Sequence, residues 1–348
     1  MQFCAGAQRE GKMKNSMLRY VIKRLLLAIV ILIGVSVIIY SLSRLMPQDY
    51  IDKKFESQIT QGLISRDEVE RIKELYGLGD NSFAGILLGY LKWIGNVFRG
   101  DLGTSFIHGQ KVTTVIFENM GISFGIAFVA MILEFLIAVP LGIKAATNQY
   151  GKVDYTATVL AMMGISLPTF FLGAIMIKIF SVDLGWFPVN GLTSPGLSVD
   201  ATGWERFWDM MWHLVLPMVT LVILSIGGLM RYTRTNMLEV LNADYIRTAR
   251  AKGLSEKSVI YKHAFRNTMI PLVTIIAGTL PSLFGGAMIT EQIFAIPGIG
   301  LKAYEALQGG DVPFIMGYNM FLAILTVLGT LLSDIMYAVV DPRVKITK

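Results

Sequence analysis

An ionisable side chain inside a long apolar run is the first candidate for chemistry in this sequence. Glu134 stands about halfway along the apolar stretch from Asn119 to Ala145. A charge at the centre of a bilayer costs at least about 2–3 kcal/mol unless it faces protein or water. Glu134 could therefore contact a solute, bind a proton or a cation, or hydrogen-bond a neighbouring helix, and the hydrogen-bonding role is slightly favoured.

Metal and thiol chemistry are not expected from this sequence. The single cysteine, Cys4, excludes an internal disulfide. The three histidines, His108, His213 and His263, are far apart in the chain and lie in three different kinds of segment. They offer no cluster of histidine and cysteine ligands for zinc. We therefore predict no bound metal, and no constellation of side chains indicates a catalytic residue.

Nucleotide binding by this chain is not expected either. Residues 6–12 imitate a phosphate-binding loop, but Met13 stands where Ser or Thr should bind magnesium, and no apolar strand precedes the segment. No run of carboxylates and histidines forms a proton relay, and the chain shows no repeated halves. Both observations count against a secondary transporter driven by an ion gradient.

The composition is that of a polytopic membrane protein. Hydrophobic residues make up 53% of the 348 residues and charged residues only 16%, which is unusual for a soluble enzyme. A transmembrane helix needs about 20 predominantly apolar residues. Six such runs predict six spans: Arg24–Leu45, Asn119–Ala145, Tyr155–Phe180, Trp212–Tyr232, Thr268–Ile289 and Pro313–Val339.

The distribution of Lys and Arg predicts the orientation of these spans. An even number of spans puts both ends of the chain on one side of the membrane, and basic residues favour the cytoplasmic side. The N-terminal segment, the segment between the fourth and fifth spans and the C-terminal tail are all rich in Lys and Arg. In residues 46–118 the basic residues are balanced by carboxylates, so we predict that this segment lies outside.

The basic segment between the fourth and fifth spans has the pattern of two short helices. Gly253 divides them, because glycine readily takes the positive φ that ends a helix, and Arg250 and Lys252 stand in the last turn, where the helix dipole favours cations. Ser255 can cap the second helix. One side of the first helix is apolar or small and could be offered to a partner: Leu238, Leu241, Tyr245, Ala249 and Ala251. The pattern predicts a cytoplasmic docking element.

The wording of this segment resembles the cytoplasmic loop of ABC importer permeases, in the form used by oligopeptide, dipeptide and nickel systems. Of the general importer motif only Ala249 and Gly253 are present, whereas the wording of the peptide class fits far better. The resemblance implies that the loop docks onto an ATPase subunit and couples it to transport. The coupling residues it implies are Asp244, Tyr245, Ala249, Arg250, Ala251, Lys252, Gly253, His263 and Asn267.

The outer segment resembles that of the B-type permease subunit in particular. Residues 75–78, 90–93 and 100–105 match it, and the related C-type subunit lacks such a segment at this place; the family's usual Pro-Gly-Asp stands here as Pro47-Gln48-Asp49. Val69, Ile72, Leu75 and Tyr76 recur at helical spacing after Asp67, so a small folded subdomain is expected.

Further matches extend the resemblance to residues 164–170, 291–294 and 297–300. With Glu134, which is a candidate because it is ionisable inside a span, Ser166, Pro168 and Glu291 of these segments are candidates for the translocation pathway. Glu291 would lie near the outer gate and could reach the membrane interface, as could Lys178. The family's usual beginning is matched from Met17. The predicted division is therefore an N-terminal extension 1–16, a first transmembrane helix 17–45, an extracytoplasmic subdomain 46–118, a core permease domain 119–339 that contains the coupling loop 234–268, and a tail 340–348.

Together these features predict an all-α polytopic membrane protein with six transmembrane helices, similar to the permeases of type I ABC importers. The resemblance implies a translocation subunit for oligopeptides or dipeptides in a bacterial or archaeal cell membrane, with membrane lipid around it, no cofactor of its own and no nucleic acid. The implied partners are a C-type permease, two cytoplasmic ATPases that bind ATP and Mg²⁺, and an extracytoplasmic solute-binding protein. A nickel or opine permease of the same family is the main alternative, ahead of a secondary transporter or a membrane enzyme.

Overall fold

The computed structural model describes residues 2–45, 55–56, 59–75 and 82–340. Within these ranges the regular structure is helical, apart from an isolated bridge between Thr104 and Lys111. The prediction of an all-α fold is therefore confirmed. The matched positions 47–49 and 76–78 and the tail from residue 341 lie outside the described residues.

The described helices follow one another along the chain. Their bounds are α1 Gln2–Leu45, α2 Arg66–Leu75, α3 Phe83–Phe98, α4 Val112–Thr147, α5 Lys152–Ser166, α6 Thr169–Met176, α7 Gly203–Leu241, α8 Asp244–Ala251, α9 Glu256–Ser258, α10 Phe265–Thr279, α11 Met288–Ile293, α12 Ile299–Gly309 and α13 Val312–Val340. Two π-helical segments, Ile177–Asp183 and Val259–Ala264, extend α6 and α9, and the 3₁₀ segment Leu280–Gly285 follows α10.

The spans agree with the apolar runs of the sequence. Within the described residues, five helical segments are long and apolar enough to cross a membrane. They are Ile22–Leu45, Val112–Thr147, Gly203–Leu241, Glu256–Ile293 and Val312–Asp334. A sixth crossing results if α5 and α6, with the π-helical segment after α6, are counted as one broken span.

The third span differs from the single helix predicted over residues 155–180. It is bent by 101° between Ser166 and Thr169. The cause is Pro168, which lacks the backbone N–H that would continue the helix and disfavours the helical conformation at the preceding residue. Leu167 is accordingly extended, with φ −81° and ψ 129°. The bend separates α5 from α6.

The fourth span is longer than predicted at both ends. Thr202 and Glu205 form a capping box that starts α7 at Gly203, with the Thr202 N–H donating to Glu205 Oε2 at 2.7 Å. At the other end α7 continues past Tyr232 to Leu241. One continuous helix therefore runs from Gly203 into the candidate coupling loop.

The chain forms two compact units. The first comprises Met1–Glu118, Lys302–Leu331 and Arg343–Lys348. Its core includes Tyr40, Val69, Trp93 and Met316, with Tyr40 and Trp93 in ring contact at 6.0 Å. Val69 is buried and belongs to α2, so the predicted helix in the outer segment is confirmed.

A buried carboxylate organises the matched segment 100–105 within this first unit. Asp311 is fully buried, and its Oδ2 accepts hydrogen bonds from the Ser105 hydroxyl at 2.5 Å and from the Ile107 N–H at 2.9 Å. Ser105 in turn accepts the His108 N–H at 3.0 Å. The conformation of this loop thus depends on a residue 206 positions away in sequence.

The second unit, Asn119–Leu301 with Leu332–Pro342, contains the candidate coupling loop. Its helices approach each other closely at glycines. A Cβ atom on Gly142 would lie 2.7 Å from the Met230 carbonyl oxygen, and one on Gly164 would lie 2.6 Å from the Ile223 carbonyl oxygen. Small residues allow such backbone contacts between membrane helices, so α4 and α5 are both packed directly on α7.

Candidate coupling loop and solute pathway

The candidate coupling loop turns at Gly253. This residue has φ +77°, and its N–H donates to the Arg250 carbonyl oxygen at 2.9 Å. The Leu254 N–H donates back to the Ala249 carbonyl oxygen at 3.4 Å. The prediction that Gly253 ends the first helix with a positive φ is confirmed, and the reason is that only glycine takes this conformation without steric cost.

The second arm of the loop is held differently from the prediction. Ser255 occupies the N-cap position of α9, but its side chain makes no capping hydrogen bond. Arg250 instead reaches across the turn, and its guanidinium donates to both carboxylate oxygens of Glu256 at 2.6 and 3.2 Å. This hydrogen bond raises the pKa of Arg250 above its ordinary value. Both side chains are about half exposed, so the pair contributes about 0–1 kcal/mol and mainly orients the two arms.

Part of the predicted apolar side of α8 faces the chain's own core, which corrects the expectation that the whole side is offered to a partner; Tyr245 and Ala251 of that set are exposed. Ile246 is fully buried and Ala249 is 6% exposed. Both belong to a cluster with Ala145, Ala146, Met237, Val259, Ala264 and Leu272. Leu238 and Leu241 are also partly buried against it. The loop is therefore packed on the adjacent ends of α4, α7 and α10.

The opposite side of α8 and the turn are open. Exposed residues there are Asp244, Tyr245, Arg247, Thr248, Arg250, Ala251, Lys252 and Leu254. Burial raises the pKa of the Tyr245 hydroxyl even though 47% of this residue is exposed. The surface combines cations with Tyr245 and Leu254, an arrangement suited to a partner with acidic and apolar groups.

His263 and Asn267 lie on the second arm, away from α8 in sequence. His263 is half-buried in the π-helical segment Val259–Ala264, and Asn267 is exposed on α10. The Asn267 side-chain amide donates to the His263 carbonyl oxygen at 2.8 Å. These two residues join each other, and their part in docking stays a prediction.

Glu134 lines a cavity of about 520 Å³ within the second unit. Ser225 of α7 lines the same cavity, and its hydroxyl donates to the Leu221 carbonyl oxygen at 2.9 Å. Other polar residues of the lining include Tyr232, Thr279 and Ser282. The cavity size is typical of a site for a small ligand, so the structure keeps both a helix-bonding role and a solute-facing role for Glu134 possible.

Ser166 and Pro168 are not brought to Glu134. Both are exposed at the break between α5 and α6 and neither lines the cavity. The Ser166 hydroxyl donates to the Met162 carbonyl oxygen at 2.8 Å. These residues shape the broken span, and their place in the pathway stays a prediction.

Glu291 is buried, with 2% exposure, rather than extended toward the membrane interface. Its Oε1 accepts the Ser123 hydroxyl at 2.8 Å and the Ala287 N–H at 3.0 Å, and its Oε2 accepts the Leu301 N–H at 2.9 Å. The Ser123 oxygen also accepts the Ile299 N–H at 2.9 Å. Glu291 therefore fixes the conformation of residues 287–301.

The glycines of residues 287–301, together with Gly286, leave the space that the Glu291 carboxylate fills. A Cβ atom on Gly300 would lie 2.9 Å from Glu291 Oε2, and one on Gly286 would lie 2.8 Å from Oε1. A Cβ atom on Gly298 would collide with the carboxylate and with the Ser123 hydroxyl. The matched segments 291–294 and 297–300 are thus explained by one buried hydrogen-bonded cluster. Lys178, by contrast, is exposed and paired with Asp183.

The sequence did not single out Ser123, which donates to Glu291, or Ser225, which lines the cavity with Glu134. Both are serines inside apolar runs, where such residues are common in membrane helices. Among the described residues, no group of three or more His, Cys, Asp or Glu side chains could hold a metal ion.

Comparison with known proteins identifies the class. Residues 138–346 match the family described as the binding-protein-dependent transport system inner membrane component, and residues 17–127 match the N-terminal domain of such membrane components. The chain belongs to this family. It is a multi-pass membrane permease of ABC importers, in which separate subunits hydrolyse ATP and a binding protein delivers the solute.

Particular relatives are similar over almost the whole chain. The oligopeptide transport system permease protein AppB of Bacillus subtilis is 38% identical over 94% of this chain and 100% of its own length. A putative peptide permease protein of Brucella suis biovar 1 is 34% identical over 95% of this chain and 100% of its own length. The dipeptide transport system permease protein DppB of Alkalihalophilus pseudofirmus is 34% identical over 94% of this chain and 100% of its own length.

A solved structure of a methionine transporter is more distant. A chain of MetNI, crystallised in inward-facing conformations, is 18% identical with a TM-score of 0.49 and covers 66% of this chain and 97% of its own. The family assignment does not depend on this similarity.

Proposed function

We propose that this chain is the B-type permease subunit of an ABC importer for oligopeptides or dipeptides. The observation that carries the proposal is similarity over the full length of permeases named for these solutes. The similarity includes the outer segment that resembles B-type subunits. The chain would pair with a C-type permease, two ATPases that bind ATP and Mg²⁺, and an extracytoplasmic binding protein.

The exposed side of α8 is proposed to bind an ATPase subunit. Tyr245, Ala251, Lys252 and Leu254 are accessible there, while Ile246 and Ala249 anchor the helix from beneath. A movement of the ATPase would therefore move a helix that is already packed on the inner ends of the spans. This orientation requires that both termini and the coupling loop be cytoplasmic, as the Lys and Arg distribution favours.

The cavity at Glu134 is proposed as part of the solute pathway. Its lining is mainly apolar, with a few polar side chains besides Glu134, and such a lining suits a cavity that must release a variety of peptides. Alternating access would open this cavity to one side of the membrane at a time.

The test is uptake by the complete complex in proteoliposomes. The chain is co-purified with the second permease, the two ATPases and the binding protein encoded beside it, and uptake of labelled di- and oligopeptides is measured with and without ATP. We expect ATP-dependent peptide uptake. Uptake of nickel or an opine without competition by peptides would contradict the peptide assignment, and uptake driven by an ion gradient without ATP would contradict the importer assignment.

The same assay examines Glu134. The variant Glu134→Gln keeps the shape and most hydrogen bonds but removes the charge, so a pathway role predicts a larger loss of uptake for cationic than for neutral peptides. Glu239→Gln, at an exposed position of α7, serves as the control. Equal losses for both kinds of peptide would assign Glu134 to helix packing.

A further inference from the structure

A buried ion pair joins the inner end of α5 to α7. Arg234 Nε donates to Asp154 Oδ1 at 2.6 Å, and Arg234 Nη2 donates to Asp154 Oδ2 at 2.7 Å. The two side chains are 22% and 5% exposed. A bidentate contact of this kind fixes the planes of both groups relative to each other, and removal of one partner would leave an uncompensated charge in a poorly solvated place.

The same carboxylate also holds the turn between α4 and α5. The Tyr150 N–H donates to Asp154 Oδ2 at 2.9 Å, and Tyr150 has φ +63°, which is uncommon for a residue with a side chain. The Thr158 hydroxyl lies 3.4 Å from Oδ1. Asp154 therefore ties three elements together: the turn after α4, the first turn of α5 and the side of α7.

Arg234 stands close to the coupling loop along a continuous helix. It precedes the end of α7 at Leu241 by about two turns. Met237, one turn further on, is fully buried in the cluster that also contains Ile246 and Ala249 of α8. A displacement of α8 must therefore displace Arg234.

On the other side of the pair, α5 leads through the break at Pro168 to α6 and to residues 287–301. The break at Leu167 and Pro168 follows the end of α5, and α6 begins at Thr169. A Cβ atom on Gly173 of α6 would lie 3.2 Å from the Ile293 side chain, so α6 is packed against the helix that carries Glu291. Within the second unit, these contacts form a continuous series from the coupling loop to residues 287–301.

We propose that Asp154 and Arg234 are a positioning pair that transmits movement of the coupling loop to the broken span α5–α6. The glycine contacts between α5 and α7 are backbone packing, across which helices can slide by small shear movements. The bidentate pair prevents such sliding because it fixes the axial register and rotation of α5 on α7. The inference rests on the proposed coupling function and assigns the residues that extend it into the membrane.

The experiment uses the complete complex in proteoliposomes. Arg234→Lys keeps the positive charge but removes the two-pronged contact. We expect it to assemble and to hydrolyse ATP, while peptide taken up per ATP hydrolysed falls by about fivefold or more, the lower end of typical couplings between sites. Arg231→Lys makes the same chemical change at an exposed position on α7 and should leave this ratio unchanged.

The ratio separates a positioning role from a merely structural one, since loss of folded complex lowers uptake and hydrolysis together. An unchanged ratio in Arg234→Lys would overturn the inference while leaving the proposed function intact. If the wild-type complex fails to couple ATP hydrolysis to uptake, the proposed function itself fails.

A second measurement leaves the pair intact and so holds even if Arg234→Lys does not fold. With Cys4 replaced by serine, spin labels are placed at the exposed positions Tyr155 on α5 and Thr235 on α7. The distance between them should be the same in the nucleotide-free and ATP-bound complexes. A distance that changes with nucleotide would show that the two helices slide, and would overturn the proposal.

Discussion

At the scale of single residues, buried carboxylates carry most of the specific structure of this permease. Glu291 accepts hydrogen bonds from one hydroxyl and two backbone N–H groups, and the glycines around it leave room only for the carboxylate. Both oxygens must act as acceptors, because the Ser123 hydroxyl and the N–H groups of Ala287 and Leu301 all donate to them. The role of Glu291 is thus to fix the conformation of residues 287–301.

Glu291→Gln is expected to destabilise this segment. Whichever way the amide is turned, its NH₂ group faces a donor, and a buried polar group left unsatisfied costs about 1–3 kcal/mol. We expect a lower midpoint of thermal unfolding in detergent and faster proteolysis near residues 287–301. Gln292→Ala, at the exposed neighbouring position, should match the wild type; an equal midpoint for Glu291→Gln would contradict the assigned contacts.

Gly253 allows a test of the coupling turn by conformation alone. A side chain at this position would meet no atom within 4 Å, so only the positive φ opposes a substitution. Gly253→Val should cost about 1–2 kcal/mol at the turn and change the angle between the two arms. We expect the variant to insert normally but to bind the ATPase subunits weakly, with stimulated ATP hydrolysis and uptake lost together.

The control for this turn is Gly253→Asn, because asparagine tolerates the left-handed conformation better than valine. It should retain most of the ATPase binding, as measured by co-purification. Full activity in Gly253→Val would show that the angle of the turn is unimportant for coupling.

At the scale of elements, α8 has two sides with different duties. Ala249 lies in the apolar cluster of the second unit, whereas Ala251 is exposed. The same substitution on the two sides should therefore have different consequences. We expect the side that packs internally to govern folding and the open side to govern the proposed docking.

Replacing each alanine with aspartate separates these duties. Ala249→Asp buries an unpaired charge and should lower the thermal midpoint and the yield of folded protein. Ala251→Asp should leave the midpoint unchanged but weaken co-purification with the ATPase subunits, because it alters the charge of the exposed surface. Two variants with the same midpoint and the same ATPase binding would refute this division of α8.

At the scale of the whole molecule, the distribution of cations and the order of the spans predict the topology. The outer segment carries balanced charge, and the coupling loop is strongly basic. Helix α1 is continuous across Met17, where the similarity to the family's N-terminal domain begins. The division into an extension 1–16 and a first span from residue 17 stays a prediction.

Reporter fusions test the topology directly. A reporter fused after Arg99 should be active only outside the membrane, and one fused at Lys257 only inside, because Lys and Arg are retained in the cytoplasm. Both positions are exposed in the structure. An inside signal at Arg99 or an outside signal at Lys257 would contradict the orientation of the spans.

The sequence by itself determined the all-helical class, the approximate spans and the turn at Gly253. These features depend on local properties: the length of an apolar run, the positions of proline and glycine and the excess of cations. Pro168 could have indicated the break in the third span, but a proline in a membrane helix is often accommodated without a bend of 101°. Local pattern therefore defines the elements better than their angles.

Only the tertiary structure decided which partners the key side chains have. Ser123 and Glu291 are 168 positions apart, and Asp154 and Arg234 are 80 positions apart; no periodicity in the sequence joins them. The sequence pattern of α8 predicted a side offered to a partner, whereas Ala249 of that side faces the chain's own core. Packing against α4, α7 and α10 decided this, because burial in the existing cluster removes Ile246 and Ala249 from water.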